Sequence, residues 1–237
     1  MITPVIYIIF LFGAFVRAFF GFGEALITTP LLLLIAYNLH NGIAIIGIMG
    51  LILALPGAVR NYRAIDRNLL VNLFTGSIIG VPLGLLFVHY GSLNALKWFT
   101  GIFLICYAIF NLFGFGFTKS RIKIPRFIVG FVSGFLGGAI NTHGAPVAIY
   151  GNLSKWSLQY TRANLQTYFA VVGFFIVIGQ GVSGFWNATV LQTILLLIPG
   201  FIGISILVEW LLTKINPQKF NRLLYIFLLI SGCLLFI

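Results

Sequence analysis

Eight apolar stretches separated by short polar breaks run along the chain, covering residues 3–38, 42–59, 69–88, 97–117, 125–154, 163–182, 189–212 and 220–237. Six of them have the length of one helical membrane crossing, roughly 20 residues. The stretches 3–38 and 125–154 do not, because 30 residues of helix run to about 45 Å. Both are interrupted by glycines in the middle, at RAFFGFGE in the first and GFLGGAINTHGAP in the second. The pattern predicts helices throughout, with two of the stretches folded or broken inside the membrane.

Basic residues test how the chain threads. If every stretch crosses once, the Lys and Arg of the loops divide six against seven, which the positive-inside bias disfavours. If the two long stretches are re-entrant hairpins, the loops at 60–67, 119–126, 155–162 and 214–222 share one face. That face then holds twelve of the 14 Lys and Arg. Lys97 alone stays on the other face, and Arg17 lies within the first hairpin. The expectation is therefore two hairpins and six full spans, with the basic loops in the cytoplasm and both termini outside. Irregular backbone at membrane depth is tolerated where protein or a wet cavity surrounds it.

The two hairpins also resemble each other. Phe15, Val16, Phe19, Gly21 and Pro30 match Phe131, Val132, Phe135, Gly137 and Pro146 at a constant offset of 116 residues, and Pro82 recurs as Pro199 at 117. Residues 1–118 and 119–237 thus read as two repeats, each a hairpin plus three spans. Three is odd, so the second repeat enters from the opposite side. The predicted fold class is an all-α polytopic membrane protein with two inverted repeats, an arrangement many secondary transporters share.

Composition closes off other classes. Only 7% of the 237 residues are charged, and the acidic ones are Glu24, Asp66 and Glu209. Soluble domains carry about 25%. The net charge of +11 reads as topology and not as nucleic-acid binding, since no aromatic–basic interleaving or helix-turn-helix pattern accompanies it. Cys106 and Cys233 lie in apolar stretches and read as small core residues. Without CxxC or a Cys/His cluster, no metal or other cofactor is implied. Asp66, in an arginine-rich loop, reads as solvated. The N-terminal MITPVIYIIF lacks a basic n-region and reads as a retained membrane segment. Trp98, Trp156, Trp186 and Trp210 fall near span ends, as in an aromatic belt.

The same glycine- and proline-rich pieces carry a family resemblance. GFGEALITTPLLLL, GFVSGFLGGAINTHGAPVAIYG, VPLG, IPGFIG and the basic linker TKSRIKIPR resemble the TauE/SafE family of sulfite and organosulfur-anion transporters. The resemblance spans the whole chain. It implies movement of a small anion such as sulfite, a sulfonate or a related carboxylate, without fixing which one or in which direction.

Candidate chemistry sits at the two breaks. Gly137 and Gly138 permit a broken helix whose freed N–H groups bind an anion; the alternative is close helix packing. Asn141, Thr142 and His143 offer amide, hydroxyl and imidazole donors to an oxyanion, or else cap the following half-helix. Arg17 and Glu24 bracket the first break and read either as a structural ion pair or as anion anchor and proton carrier. Burial favours the neutral carboxyl and Arg17 the ionised one. Thr28 and Thr29 add donors or bond their own backbone. The expectation is an oxyanion bound between the two tips.

The reading is then a secondary transporter of a small anion in the cytoplasmic membrane, proton-coupled through Glu24. An anion channel and a non-transport membrane chaperone or structural subunit are the alternatives. HExxH, GxSxG and Walker patterns are absent, which argues against an intramembrane enzyme or a direct ATP drive. The expected partners are the anionic substrate and the lipid bilayer, with a homodimer left open.

Overall fold

The computed structural model describes residues 4–60, 62–113, 124–212, 214 and 218–237. All regular structure among them is helical: α1 Pro4–Phe20, α2 Glu24–Leu34, α3 Leu39–Arg60, α4 Arg67–Tyr90, α5 Leu93–Leu112, α6 Arg126–Ile140, α7 Gly144–Leu153, α8 Leu158–Val182, α9 Ala188–Leu212 and α10 Gln218–Leu234, with one 3-10 turn at Tyr62–Ala64. In a bilayer a helix satisfies its own backbone donors and acceptors, so apolar stretches of this length have no other open solution.

Five helices, α3, α4, α5, α8 and α9, are long and apolar enough to cross a membrane. The protein is a multi-pass membrane protein. At 17 residues, α10 is shorter than these. The two overlong stretches each split in two. The first gives 17- and 11-residue helices around residues 21–23; the second gives 15- and 10-residue helices around 141–143. Side-chain caps start several helices: Ser92 Oγ accepts from Ala95 N–H at α5 and Ser157 Oγ from Tyr160 N–H at α8.

The chain forms two compact units that interleave along the sequence. The first comprises Met1–Gly42, Gly91–Gly116 and Ala188–Ile237. Here α1 and α2 pack on each other, α9 lies against α1, and α10 against α5 and α2. The face of Gly200 on α9 receives Leu11 and Tyr7 of α1. The second unit comprises Ile43–Tyr90 and Phe117–Asn187. Within it α6 packs on α7, and α8 touches α4, α6 and α7. In each unit the second span from one half of the sequence lies against the first hairpin helix from the other half: α9, with Pro199, on α1, and α4, with Pro82, on α6. The proposed repeat boundary at 118 and the linker residues Lys119, Arg121 and Lys123 lie outside the described residues.

Among the described residues, α4 and α6 pack more closely than any other pair of elements. Gly76, Gly80 and Gly84 on α4 face Gly130, Gly134 and Gly138 on α6. A Cβ at Gly134 would lie 2.6 Å from Ser77 Cα, and one at Gly80 would lie 2.7 Å from the Phe135 nitrogen. Two glycine ladders at four-residue spacing let the backbones meet directly. Such small-residue seams hold membrane helices together where no hydrophobic effect separates them from lipid.

In the second unit the basic loops converge. Asp66 Oδ2 accepts from Tyr160 Oη at 2.6 Å, and Asp66 N–H donates to Asn164 Oδ1 at 2.9 Å. Arg126, at the start of α6, bonds Tyr150 of α7 and attracts Asp66. The start of α4, the start of α6, the end of α7 and the start of α8 therefore share one end of this unit, so α6 and α7 form a hairpin. Asp66 stays partly exposed, as its arginine-rich surroundings imply, and is engaged as well. It caps α4, accepting from Leu69 N–H at 2.9 Å. The Tyr160 hydroxyl and the Leu69 amide hold its carboxyl below the ordinary value of 3.8.

A labelling experiment follows from this convergence. Single cysteines at Ser154 and at Ser120, which lies outside the described residues, should react with an impermeant maleimide from the same side of the membrane. Labelling from opposite sides would mean that 125–154 crosses, and the hairpin reading would fall.

Candidate functional site

The first break is built around two left-handed glycines. Gly21 and Gly23 hold φ of 82° and 100°, a conformation that costs glycine nothing and strains other residues. Gly23 starts α2 without a side-chain cap. Glu24 and Thr28 follow on one face of α2, four residues apart and turned toward Gly13 of α1. A Cβ at Gly13 would lie 3.4 Å from Glu24 Cγ and would overlap the Thr28 hydroxyl. Arg17, in the last turn of α1, brings Nη1 to 3.7 Å from Glu24 Oε2, with the side chains 11% and 2% exposed. The two residues that the sequence places around the break therefore meet. Neither Glu24 oxygen has a hydrogen bond, nor has the buried Thr28 hydroxyl. A buried ionised carboxylate ordinarily has both a charge partner and hydrogen bonds; here only the charge partner is in place.

The second break falls at 141–143. Gly137 and Gly138 are not at the start of the second half-helix. They lie in the last turn of α6, where Gly137 C=O accepts Asn141 N–H at 2.9 Å. Gly138 faces the backbone of Val81 and Leu85, the packing reading; a Cβ on Gly137 would meet His143 Cβ at 2.9 Å. The backbone amides that a helix start leaves outside its own ladder belong instead to α7, at Gly144 and Ala145, Pro146 having none. His143 is the N-cap of α7 and gives no side-chain cap bond. That turn presents the partial positive charge of a helix start.

The triplet divides by role. Asn141 adopts a left-handed φ of 56°, which asparagine tolerates better than most residues. Its side chain is occupied: Nδ2 donates to Ile43 C=O on α3, and Oδ1 accepts from Gln180 Nε2 on α8 at 3.2 Å. Thr142 Oγ1 reaches Ile140 C=O at 3.2 Å. His143 sets its ring edge-to-face on Phe169, centroids 5.0 Å apart, with Tyr168 at 6.2 Å.

Around them runs a hydroxyl chain that the sequence does not flag. Ser77 Oγ and Tyr168 Oη are 2.7 Å apart, Tyr168 Oη donates to Ser133 Oγ at 2.7 Å, and Ser133 donates to His143 C=O. All three side chains are buried. Such a network fixes the tip of the hairpin against α4 and α8. The only signal was polar residues inside apolar stretches, which the sequence also shows at many lipid-facing positions.

Two apolar grooves lie elsewhere. One of about 580 Å³ runs between α4 and α8, with His89, Tyr90 and Ser183 at one end. Another of about 360 Å³ lies among Phe12, Phe15, Phe19 and Phe227. Their linings suit hydrocarbon and not an anion. Cys106 and Cys233, expected in the core, are exposed; a helix in lipid is apolar on its outward face too, so an apolar stretch does not by itself mean burial.

One family matches the chain, described as Sulfite exporter TauE/SafE, over residues 5–235. No curated protein and no solved structure matches.

Proposed function

The chain belongs to the TauE/SafE sulfite exporter family, and from that premise we propose that it is a proton-coupled carrier of sulfite, a sulfonate or a related small oxyanion in the cytoplasmic membrane. Family membership makes it a membrane transporter of anions; substrate, coupling and membrane are our reading. Arg17 is the cation that meets the anion at the first break, and Glu24 the group that takes up the proton. At the second break, the amides opening α7 attract negative charge without placing a full extra charge in the membrane, and Thr142 and His143 stand beside them. Gly137, Gly138 and Asn141 shape that break from behind and leave the anion to their neighbours.

The observation that carries the reading is the buried pair of Arg17 and Glu24 beside an unwound segment, with both carboxyl oxygens lacking hydrogen bonds. An ionisable residue inside a membrane is costly and by default functional. A carboxyl with so few partners is suited to gaining and losing a proton. A purely structural subunit has no need of such a group.

The test uses the full chain in proteoliposomes. Labelled sulfite should enter vesicles preloaded with unlabelled sulfite, saturably and faster at an imposed pH gradient. Flux that neither saturates nor shows counterflow would identify a channel. In parallel, millimolar sulfite should raise the thermal midpoint of the purified protein, because a ligand at 100 times its Kd adds about 2.7 kcal/mol. No shift with sulfite, sulfonates or simple carboxylates would overturn the substrate assignment.

A further inference from the structure

Four helices of the first unit, α1, α2, α9 and α10, line the apolar groove of about 360 Å³. Phe12 of α1 and Phe227 of α10 meet edge-to-face in its wall, ring centroids 5.8 Å apart. Phe19 on α1 and Ile27 on α2 are buried and close it from behind. Phe12 and Leu223 stand 41% and 62% exposed at its rim. The groove therefore opens onto the apolar outer surface, where a membrane protein meets hydrocarbon. Phe19 precedes the first break and Ile27 follows it, so both arms of that break contribute to the wall.

One end of the groove is basic. Leu211, in the last turn of α9, lines it, and Leu211 C=O accepts Lys214 N–H at 2.9 Å. Lys214 Nζ is held 4.1 Å from the centroid of the Trp210 ring. Arg222, exposed, directly precedes Leu223 on α10. Between the two cations the sequence adds Lys219, and Glu209 is the one acid in residues 200–237. Among the described residues no carboxylate pairs with Lys214 or Arg222. Tryptophan and lysine at apolar helix ends mark a membrane interface, and the charge distribution assigns the 214–222 loop to the cytoplasm. The leaflet on that side carries anionic lipids, which basic residues close to the surface attract. We infer that the groove binds one anionic phospholipid of the inner leaflet, with an acyl chain among Phe12, Phe19 and Phe227 and the phosphate at Lys214 and Arg222. Ligand-sized cavities run from roughly 300 to 1,000 Å³, so the volume suits a hydrocarbon chain. The other apolar groove, between α4 and α8, has no Lys or Arg in its lining and gives no reason to choose among lipids. Because both arms of the first break form the wall, the bound lipid braces the hairpin that carries Arg17 and Glu24.

Native mass spectrometry of the full chain in detergent supplies the test, with phosphatidylglycerol and phosphatidylcholine of identical acyl chains as the probes. Two basic side chains at an anionic headgroup correspond to roughly tenfold to thirtyfold in affinity. The first phosphatidylglycerol should bind more tightly than the first phosphatidylcholine by that factor. Lys214→Gln/Arg222→Gln should bring the ratio near one. Leu223→Trp, at the exposed rim, fills the groove and should weaken both lipids. Equal affinity for the unaltered protein would overturn the inference. A preference that survives the double substitution would place the headgroup elsewhere and overturn it too. A dimer that excludes lipid would make the groove an interface between copies, with the same consequence. Phosphatidylglycerol with a photoreactive acyl chain locates the site without any substitution, so the inference stays testable if the variants misfold. Its crosslinks should concentrate around Phe12 and Phe227. Crosslinks spread evenly over the outward helix faces would show unselective lipid contact, and the inference would fall.

Discussion

Gly134→Leu is expected to abolish recovery of folded protein from detergent extracts, while Gly203→Leu leaves recovery unchanged. Both glycines are helical, in α6 and α9. The difference is what a side chain would meet. At Gly203 no atom lies within 4 Å of the added Cβ. At Gly134 the neighbours are Ser77 Cα at 2.6 Å and Ser77 C=O at 2.8 Å. Those are main-chain atoms of α4 and cannot rotate aside. Overpacking a well-filled interior costs about 1–3 kcal/mol even when side chains can adjust. Here the two helices must separate, which would also pull Ser77 from Gly130 C=O, 3.0 Å away, and from Tyr168. Total stabilities of roughly 5–15 kcal/mol leave little margin for that. Even Gly134→Ala should lower the thermal midpoint, although alanine is favoured over glycine in a helix by about 1 kcal/mol. Monodisperse elution of Gly134→Leu at normal yield would show that the α4–α6 seam does not hold the second unit together.

That seam was legible in the sequence as GSIIGVPLG and GFVSGFLGG, two runs of glycines at four-residue spacing, yet glycine in a membrane helix also marks breaks and kinks. Single residues do not separate these roles; the partner helix does. Gly138 and Gly21 illustrate the ambiguity: one lies in a helix against a neighbour's backbone, the other opens the chain into a left-handed turn. Charge counting is a global constraint, and in the second unit the contacts of Asp66 with Tyr160 and Asn164 bring together the loops at 60–67 and 155–162 that the count had grouped. The break positions were less legible. The matched residues keep an offset of 116, but α1 ends at Phe20 and α6 at Ile140, 120 residues apart, one helical turn out of step. Periodicity locates an apolar stretch; the position of a break within it depends on local bonds such as Asn141 N–H to Gly137 C=O. Gln180, Tyr168 and Ser133 stayed hidden for a related reason. Each is a polar residue among apolar neighbours, and only the packing of α4, α6 and α8 turns them inward.

The pairing of Arg17 with Glu24 leads to the second large effect, on function. If Glu24 carries the coupling proton, its ionised form repels the substrate anion and its protonated form frees Arg17 to meet it. Anion binding should then weaken as pH rises through the titration of that carboxyl. Glu24→Gln is fixed in the neutral form, so it should bind sulfite with an affinity that no longer varies with pH. Its transport should run downhill but lose the response to a proton gradient. Arg17→Ala removes the cation, and a charge-assisted hydrogen bond of about 1.5–3 kcal/mol corresponds to a loss of roughly tenfold to a hundredfold in affinity. Removing one member of a buried pair also leaves the other without compensation, a penalty of about 3–5 kcal/mol in folded proteins. The double variant Arg17→Ala/Glu24→Gln leaves no bare charge and separates the two effects. It should fold and still fail to bind. Normal sulfite binding by the double variant would reduce Arg17 to the structural partner of Glu24. An unchanged pH response in Glu24→Gln would remove the proton from the mechanism and leave sodium coupling, exchange or uniport.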